Sequence, residues 1–316
     1  MTVVIGIAAA LAALVVAGLV YSMLRARQVE GLLPPLGHFF EIDGKRLHYT
    51  DAGSGDAIVL IHGLAGNGRH FGYALTDLLA ANHRVVAVDR PGSGHSDGIA
   101  GNFSLQTQAR MIAGLIDHLA LNKPLVVGHS LGGAVALTLA VLHPDKLRGV
   151  ALLAALTRVI DTPPAAFRAL RIRSTAVRHF VASVVAVPMS AINSAKSARA
   201  VFAPEPAPAD FGIRGGGLLV QRPGAIFTAS TELTEAPEQL APIVARYGEI
   251  VIPVSILYGR SDEILDPMFH GEALPTLIPH ARTALIDGGH MIPITAAATV
   301  ATWIQRQCTE QCAAPA

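Results

Sequence analysis

The chain has 316 residues, of which 51% are apolar and only 15% charged, and its formal net charge is +1. That length accommodates one large domain, or a core carrying a substantial insertion. So small a net charge excludes a nucleic-acid surface and strong electrostatic steering of acidic or basic partners.

Much of the apolar excess sits at the N-terminus. No charged side chain occurs from Val3 to Leu24, and a helix of that length can cross a hydrocarbon core, which needs roughly 20 apolar residues. Its backbone groups are satisfied internally, as lipid requires. Tyr21 near the end of the run, with Arg25 and Arg27 beyond it, fits a membrane interface. Two alternatives are a buried helix and a cleavable signal peptide, the latter with positive charge ahead of a shorter apolar core. No Lys or Arg precedes Arg25, so residues 1–27 are read as a single-pass membrane anchor. Arg25, Arg27, Lys45 and Arg46 lean the rest of the chain toward the cytoplasm.

Residues 28–38 contain Pro34 and Pro35 and read as a linker. Phe39–Asp43 and Arg46–Asp51, on either side of Gly44, predict a hairpin. Ala57–Ile61 reads as a buried strand, Phe71–Leu79 as a helix and Arg84–Val88 as the next strand. The alternation continues with a helix at Leu105–Leu119, a strand at Pro124–Val127, a helix at Leu131–Leu142 and a strand at Leu147–Leu153. Apolar strands alternating with helices predict a mostly parallel sheet covered on both faces. The rhythm breaks over residues 155–249, where Pro163, Pro164, Pro188 and Pro204 interrupt apolar helical stretches. It then resumes with Val251–Tyr258, a helix at Pro267–Leu277, a strand at Arg282–Ile286 and a final helix at Ile294–Gln307. The expected organisation is therefore a core over 39–154 and 250–307, an inserted cap over 155–249, and a tail over 308–316. Cys308 and Cys312 near that tail have only Glu310 beside them as a further ligand, so they predict no metal site, and a bridge between them would close too short a loop to stabilise much.

The chemistry-bearing motifs fall where strands end. Gly128-His129-Ser130-Leu131-Gly132 joins a strand to a helix, the context in which a G-x-S-x-G turn exposes a serine Oγ above a sheet edge. Its glycines let the chain turn without Cβ clashes. A serine hydroxyl is a weak nucleophile until a base takes its proton. The chain order nucleophile, acid, histidine is met by Asp262, soon after the Val251–Tyr258 strand, and His290, after Arg282–Ile286. Glu263 and Asp266 are later alternatives to Asp262. His118, His143, His179 and His280 follow no strand and read as surface or packing residues. His129 is expected to support the site from behind.

A tetrahedral intermediate needs preorganised N–H donors. Here Leu64, in the loop His62-Gly63-Leu64 after a strand, and Leu131, at a helix start, are the candidate oxyanion donors. His62 is expected to brace its loop. The Asp89–Asp97 loop, which includes His95, is expected to be structural, its charges pairing locally.

With these residues in place, the chain resembles the α/β-hydrolase superfamily, and among its members bacterial esterases with a helical cap. The resemblance covers roughly Phe39 to Gln307. It implies a central eight-stranded sheet with a cap inserted after the sixth strand, no cofactor, and a small-molecule ester substrate. Ser130 separates the chain from haloalkane dehalogenases and epoxide hydrolases, which carry aspartate there. The loop after His62-Gly63 also lacks the His-Gly-Gly-Gly run of a lipase branch. The same Ser130, His290 and Asp262 set serves thioester hydrolysis, carbon–carbon bond hydrolysis and acyl transfer, and a non-catalytic small-molecule binding module is an alternative of another class. Within the cap, Phe167, Phe180, Val184, Val185, Phe202, Leu218 and Leu219 are candidate lining for an apolar acyl pocket.

Overall fold

A computed structural model describes residues 1–98 and 104–312, the side chains of residues 311 and 312 excepted. The predicted side-chain role of Cys312 and the last four residues of the tail lie outside the described residues.

After the N-terminal helix α1 (Thr2–Leu32) come β1 (His38–Ile42) and β2 (Lys45–Ala52), the hairpin expected from sequence. The sheet is completed by β3 (Ala57–Ile61), β4 (Arg84–Val88), β5 (Leu125–His129), β6 (Gly149–Leu153), β7 (Val254–Gly259) and β8 (Arg282–Ile286), in spatial order β1-β2-β4-β3-β5-β6-β7-β8. β2 runs antiparallel to both of its neighbours and the other pairings are parallel. Every residue of β3, β5 and β6 is buried, because helices cover both faces. Val59 and Ile61 point into one apolar cluster and Ile58 and Leu60 into the other, the period-2 alternation of a strand. α4 (Leu105–His118) and α5 (Leu131–Leu142) pack on the first face. The short α2 (Arg69–Gly72), α3 (Leu75–Ala80) and α11 (Ala297–Cys312) pack on the second, where Cys308 is buried.

Several elements depart from their sequence-based bounds. α1 continues to Leu32, so the first residues of the expected linker are helical. A helix expected over Phe71–Leu79 is two short ones, broken where Ala74 leaves the helical region (φ −157°). β7 starts at Val254, just after Pro253, which has no N–H to give to the ladder. The stretch after Pro267 makes a π turn at Met268–Glu272 and a 3₁₀ turn at Leu274–Thr276 instead of one α-helix. The final helix starts at Ala297, after a separate turn, α10 (Ile292–Thr295).

Between β6 and β7 the chain forms the inserted segment: α6 (Thr175–Phe180), a π-helical turn (Val181–Ala186), α7 (Val187–Ile192), α8 (Ser194–Phe202) and the long α9 (Pro223–Val244). Ser174 caps α6 by accepting from the Val177 N–H, and Pro223 opens α9 where a missing N–H costs nothing.

Candidate active site

Ser130 stands between β5 and α5 with φ 54° and ψ −123°. A side-chain-bearing residue holds such a conformation only where its surroundings enforce it. Here the Ser130 N–H donates to the Leu153 carbonyl (3.0 Å), while its own carbonyl accepts from Gly133 and Leu156 (2.9 Å each). The turn also needs its glycines: a Cβ on Gly128 would strike the backbone of Gly132 and Gly133, and one on Gly132 would strike the Ile61 and His62 carbonyls.

His290 and Asp262 meet next to His129, the residue before Ser130, whose ring lies 5.0 Å from that of His290. The Nδ1 of His290 bonds the Oδ2 of Asp262 at 2.8 Å, with both side chains essentially out of solvent. The other oxygen of Asp262 accepts from the backbone N–H groups of Ile264 (2.8 Å) and Leu265 (2.9 Å). Asp262 is therefore held in one orientation. Asp266 is likewise held by the Met268 and Phe269 N–H groups, and it is the bond to His290 that sets Asp262 apart. His129 donates from Nε2 to the His290 carbonyl at 3.0 Å. Burial, reinforced by His290, pushes the His129 pKa well below its usual value, so it is a neutral strut. A further support was not legible in sequence. Glu205, in the inserted segment, accepts from the Gly289 N–H with both carboxylate oxygens (3.0 and 3.1 Å), so the cap grips the backbone immediately before His290.

The loop after β3 is fixed through one carbonyl. The Gly63 oxygen accepts from His62 Nδ1 (2.8 Å), from Arg90 Nη2 (2.8 Å) and from the Gly66 N–H (3.2 Å). In a trans peptide the C=O of one residue and the N–H of the next point in opposite directions. Three donors holding the Gly63 carbonyl thus aim the Leu64 N–H the other way. Gly63 itself lies so close to Ser130 that a Cβ there would be 2.8 Å from the Ser130 Cβ and 3.3 Å from its Oγ. His62 braces the loop as expected, accepting the Arg90 N–H on Nε2 (2.9 Å). Burial, and then the Arg90 charge, drive its pKa well down and keep it neutral.

Arg90 is the second residue missed from sequence. Its guanidinium is wholly buried and donates to the His62 carbonyl (2.8 Å), the Gly63 carbonyl, Gln108 Oε1 (3.0 Å) and both carboxylate oxygens of Glu232 on α9. The pairing expected within this loop does not form: Asp97 pairs with Arg46 and Asp89 with His48, both on β2 and 51 and 41 residues away, because the fold lays β2 beside the loop. The Arg90 partner lies further still, 142 residues downstream. Only the Asp89-Arg90-Pro91-Gly92 turn at a strand end signalled the loop, and nothing in it signalled the cap.

Ser130, Leu64 and Leu131 line a common cavity of about 60 Å³, walled by Leu156, Phe167, Leu233, Ala236, Leu240, Ile264 and Leu265. Of the seven cap residues expected to line it, Phe167 alone does so. Phe180 and Val185 are solvent-exposed, Phe202 packs with Met291 and Ile294, and Leu219 is buried against Val29 and Leu33 of the N-terminal helix. Composition marks a cap residue as apolar, but not which of its several apolar surroundings it joins. Among the described residues no group of three or more His, Cys, Asp or Glu is placed to hold a metal ion.

Eight strands in this order, with a serine elbow at β5 and a bonded carboxylate and histidine after β7 and β8, define an α/β-hydrolase architecture. The family model of the alpha/beta hydrolase fold matches residues 56–297, and the chain belongs to that family. The magnesium-chelatase 30 kDa subunit of Rhodobacter capsulatus is 30% identical over 270 residues, covering 78% of this chain and 85% of that protein. A thermophilic esterase from Thermogutta terrifontis superposes with a TM-score of 0.69 at 24% identity, over 87% of this chain and 99% of its own. A structure described as a bacterial membrane phospholipase A superposes with a TM-score of 0.67 at 22% identity over 99% of both chains, a span that takes in the N-terminal helix.

Proposed function

We propose that the protein is a membrane-anchored serine hydrolase that cleaves carboxylic esters through an acyl-enzyme. Ser130 attacks the ester carbonyl. His290 takes its proton and passes it to the leaving alcohol, and Asp262 holds the His290 tautomer and steadies its positive charge. The Leu64 and Leu131 N–H groups receive the oxyanion, and the apolar cavity takes the acyl portion. Water then repeats the attack on the acyl-serine with His290 as base. The carrying observations are the 2.8 Å Asp262–His290 bond, which packs on His129 of the elbow, and a serine in the elbow conformation that lines an apolar cavity.

The full-length protein in detergent, compared with Ser130→Ala on p-nitrophenyl esters of graded length, tests this reading. Hydrolysis that depends on chain length and disappears in the variant supports it. A folded protein with no turnover on any ester refutes it. The α1 helix supports anchoring by its length and by an apolar surface that is exposed along Val3–Leu24 except on one stripe. Sedimentation of the full chain with vesicles tests that separately.

A further inference from the structure

The face of α1 that meets protein is a narrow stripe. Val15, Gly18, Ser22, Arg25, Ala26, Val29 and Leu33 are wholly or partly covered, while residues 1–14 are exposed throughout. At 1.5 Å per residue, those first 14 residues reach about 21 Å. A bilayer core is about 30 Å thick. The apolar run therefore crosses lipid only if about six further residues, 15–20, are immersed as well.

Those residues are not alone. The cap helix formed by α6, the π turn and α7 lies directly against them. Gly18 is packed so tightly on Val184 that a Cβ would clash with the Val184 carbonyl and come within 2.8 Å of its Cγ1. Further along, Gln221 bonds the Ser190 carbonyl and is itself held by Arg25 at 2.6 and 2.9 Å. So residues 184–190 of the cap sit level with residues 18–25 of the anchor.

The outer face of that cap helix matches lipid. Val177, Phe180, Val185, Met189 and Ile192 are all exposed large apolar residues, Ile192 at 77%. Their spacing is 3, 5, 4 and 3, and the step of five falls across the π turn at Val181–Ala186. A π turn takes up an extra residue and so keeps the stripe on one side. No charged residue occurs from His179 to Ala195, while Arg171 and Arg173 precede the helix and Lys196 and Arg199 follow it. Arg178, the charge within it, is buried and bonded to Thr231 and the Ile172 carbonyl. The opposite face joins the cap core, with Ala182 and Val187 packed on Ile226 of α9.

We propose that the cap helix Thr175–Ile192 is immersed in the leaflet beside the anchor, with Phe180 and Val185 in contact with acyl chains and Met189 and Ile192 at the interface level of Arg25. The inference rests on the reading of α1 as a membrane anchor. It places the lipid boundary one helix away from the cavity, since α9 packs on this helix with Ile226 and lines the cavity with Leu233 and Ala236. Esters already dissolved in the bilayer are then the substrate class.

The test is quenching of a cysteine-linked fluorophore by doxyl-labelled phospholipid in phosphatidylethanolamine/phosphatidylglycerol vesicles. It uses the full chain with Cys308→Ala and Cys312→Ser, labelled after Ile5→Cys, Phe180→Cys, Val185→Cys or Val251→Cys. Val251 is an exposed apolar residue ahead of β7 (81% exposed) and serves as the water-facing control. The expected result is quenching at Phe180 and Val185 at least half as strong as at Ile5, with Val251 unaffected. Quenching at Ile5 with Phe180 and Val185 no different from Val251 overturns the inference and leaves the anchor standing. An unquenched Ile5 removes the anchor reading, and the inference with it.

Discussion

Glu232→Leu is the substitution that most directly tests how the cap and the oxyanion loop are joined. Glu232 and Arg90 are 1% and 0% exposed, and the guanidinium spends all its donors on the His62 and Gly63 carbonyls, Gln108 and Glu232. Removing the carboxylate strands a buried positive charge, which costs about 3–5 kcal/mol in comparable pairs. At roughly 2–4 °C per kcal/mol for a domain of this size, the melting temperature should fall by about 6–20 °C. Arg90 will turn toward any water it can reach and release the Gly63 carbonyl. The Leu64 N–H then loses its aim, and since one oxyanion donor is worth roughly 100-fold or more in kcat, a drop approaching that size is expected with little change in KM.

The double variant Arg90→Met/Glu232→Leu separates the two effects. It removes both charges, so stability should recover most of the loss, whereas kcat should stay low because the His62 carbonyl has lost its Arg90 donor and the Gly63 carbonyl one of its three. Thermal denaturation and ester kinetics on the three proteins decide the matter. A Glu232→Leu protein that melts within about 2 °C of the parent and turns over at the parental rate would refute the reasoning.

Asp262→Asn should lower kcat by about 10⁴ while leaving the fold intact, since the amide no longer enforces the required His290 tautomer; steady-state kinetics with a circular dichroism control would check it. Gly63→Ala should depress kcat more than it raises KM, because its Cβ would press on the Ser130 Cβ at 2.8 Å. Gly18→Leu should pry α1 from Val184 and expose the cap helix to protease in vesicles, with ester turnover in detergent largely preserved. Stability should fall in acid through the buried histidines. Burial lowers the His270 pKa from 6.5 to about 4, and His62 and His129 are also held well below the usual value. The unfolded chain binds the extra protons, so their contribution is complete above pH 6.5 and is lost as pH falls toward about 4. Denaturant midpoints that do not change across that window would contradict it.

Local grammar made the core legible. The strand–helix alternation placed β3, β4 and β8 at their observed bounds. β3 and nearly all of β4 are buried and read as short apolar runs whatever surrounds them, while β8 is a partly exposed edge strand. The placement of Ser130, Asp262 and His290 was also readable, since each lies in the turn after a strand and a parallel sheet gathers those turns at one edge. The proline-marked ends were less legible. Pro253 and Pro267 alter the pattern of hydrogen bonds more sharply than periodicity reveals, and so β7 started late and the Pro267–Leu277 helix broke into turns.

What the sequence by itself determined is the family, the eight-stranded frame, the order of the three polar residues and the apolar N-terminal run. Each of these follows from residues within a few positions of one another. The tertiary structure alone decided how the cap engages them. Glu232 reaches Arg90, Glu205 reaches Gly289 and Val184 receives Gly18, each pair separated by more than 80 residues. Such contacts depend on how two independently folded surfaces come to rest against each other. A carboxylate in a cap helix carries no local sign of whether it faces water or a buried guanidinium. The same holds for apolar cap residues, of which Phe167 meets the cavity, Phe202 the His290 loop and Val185 the outside.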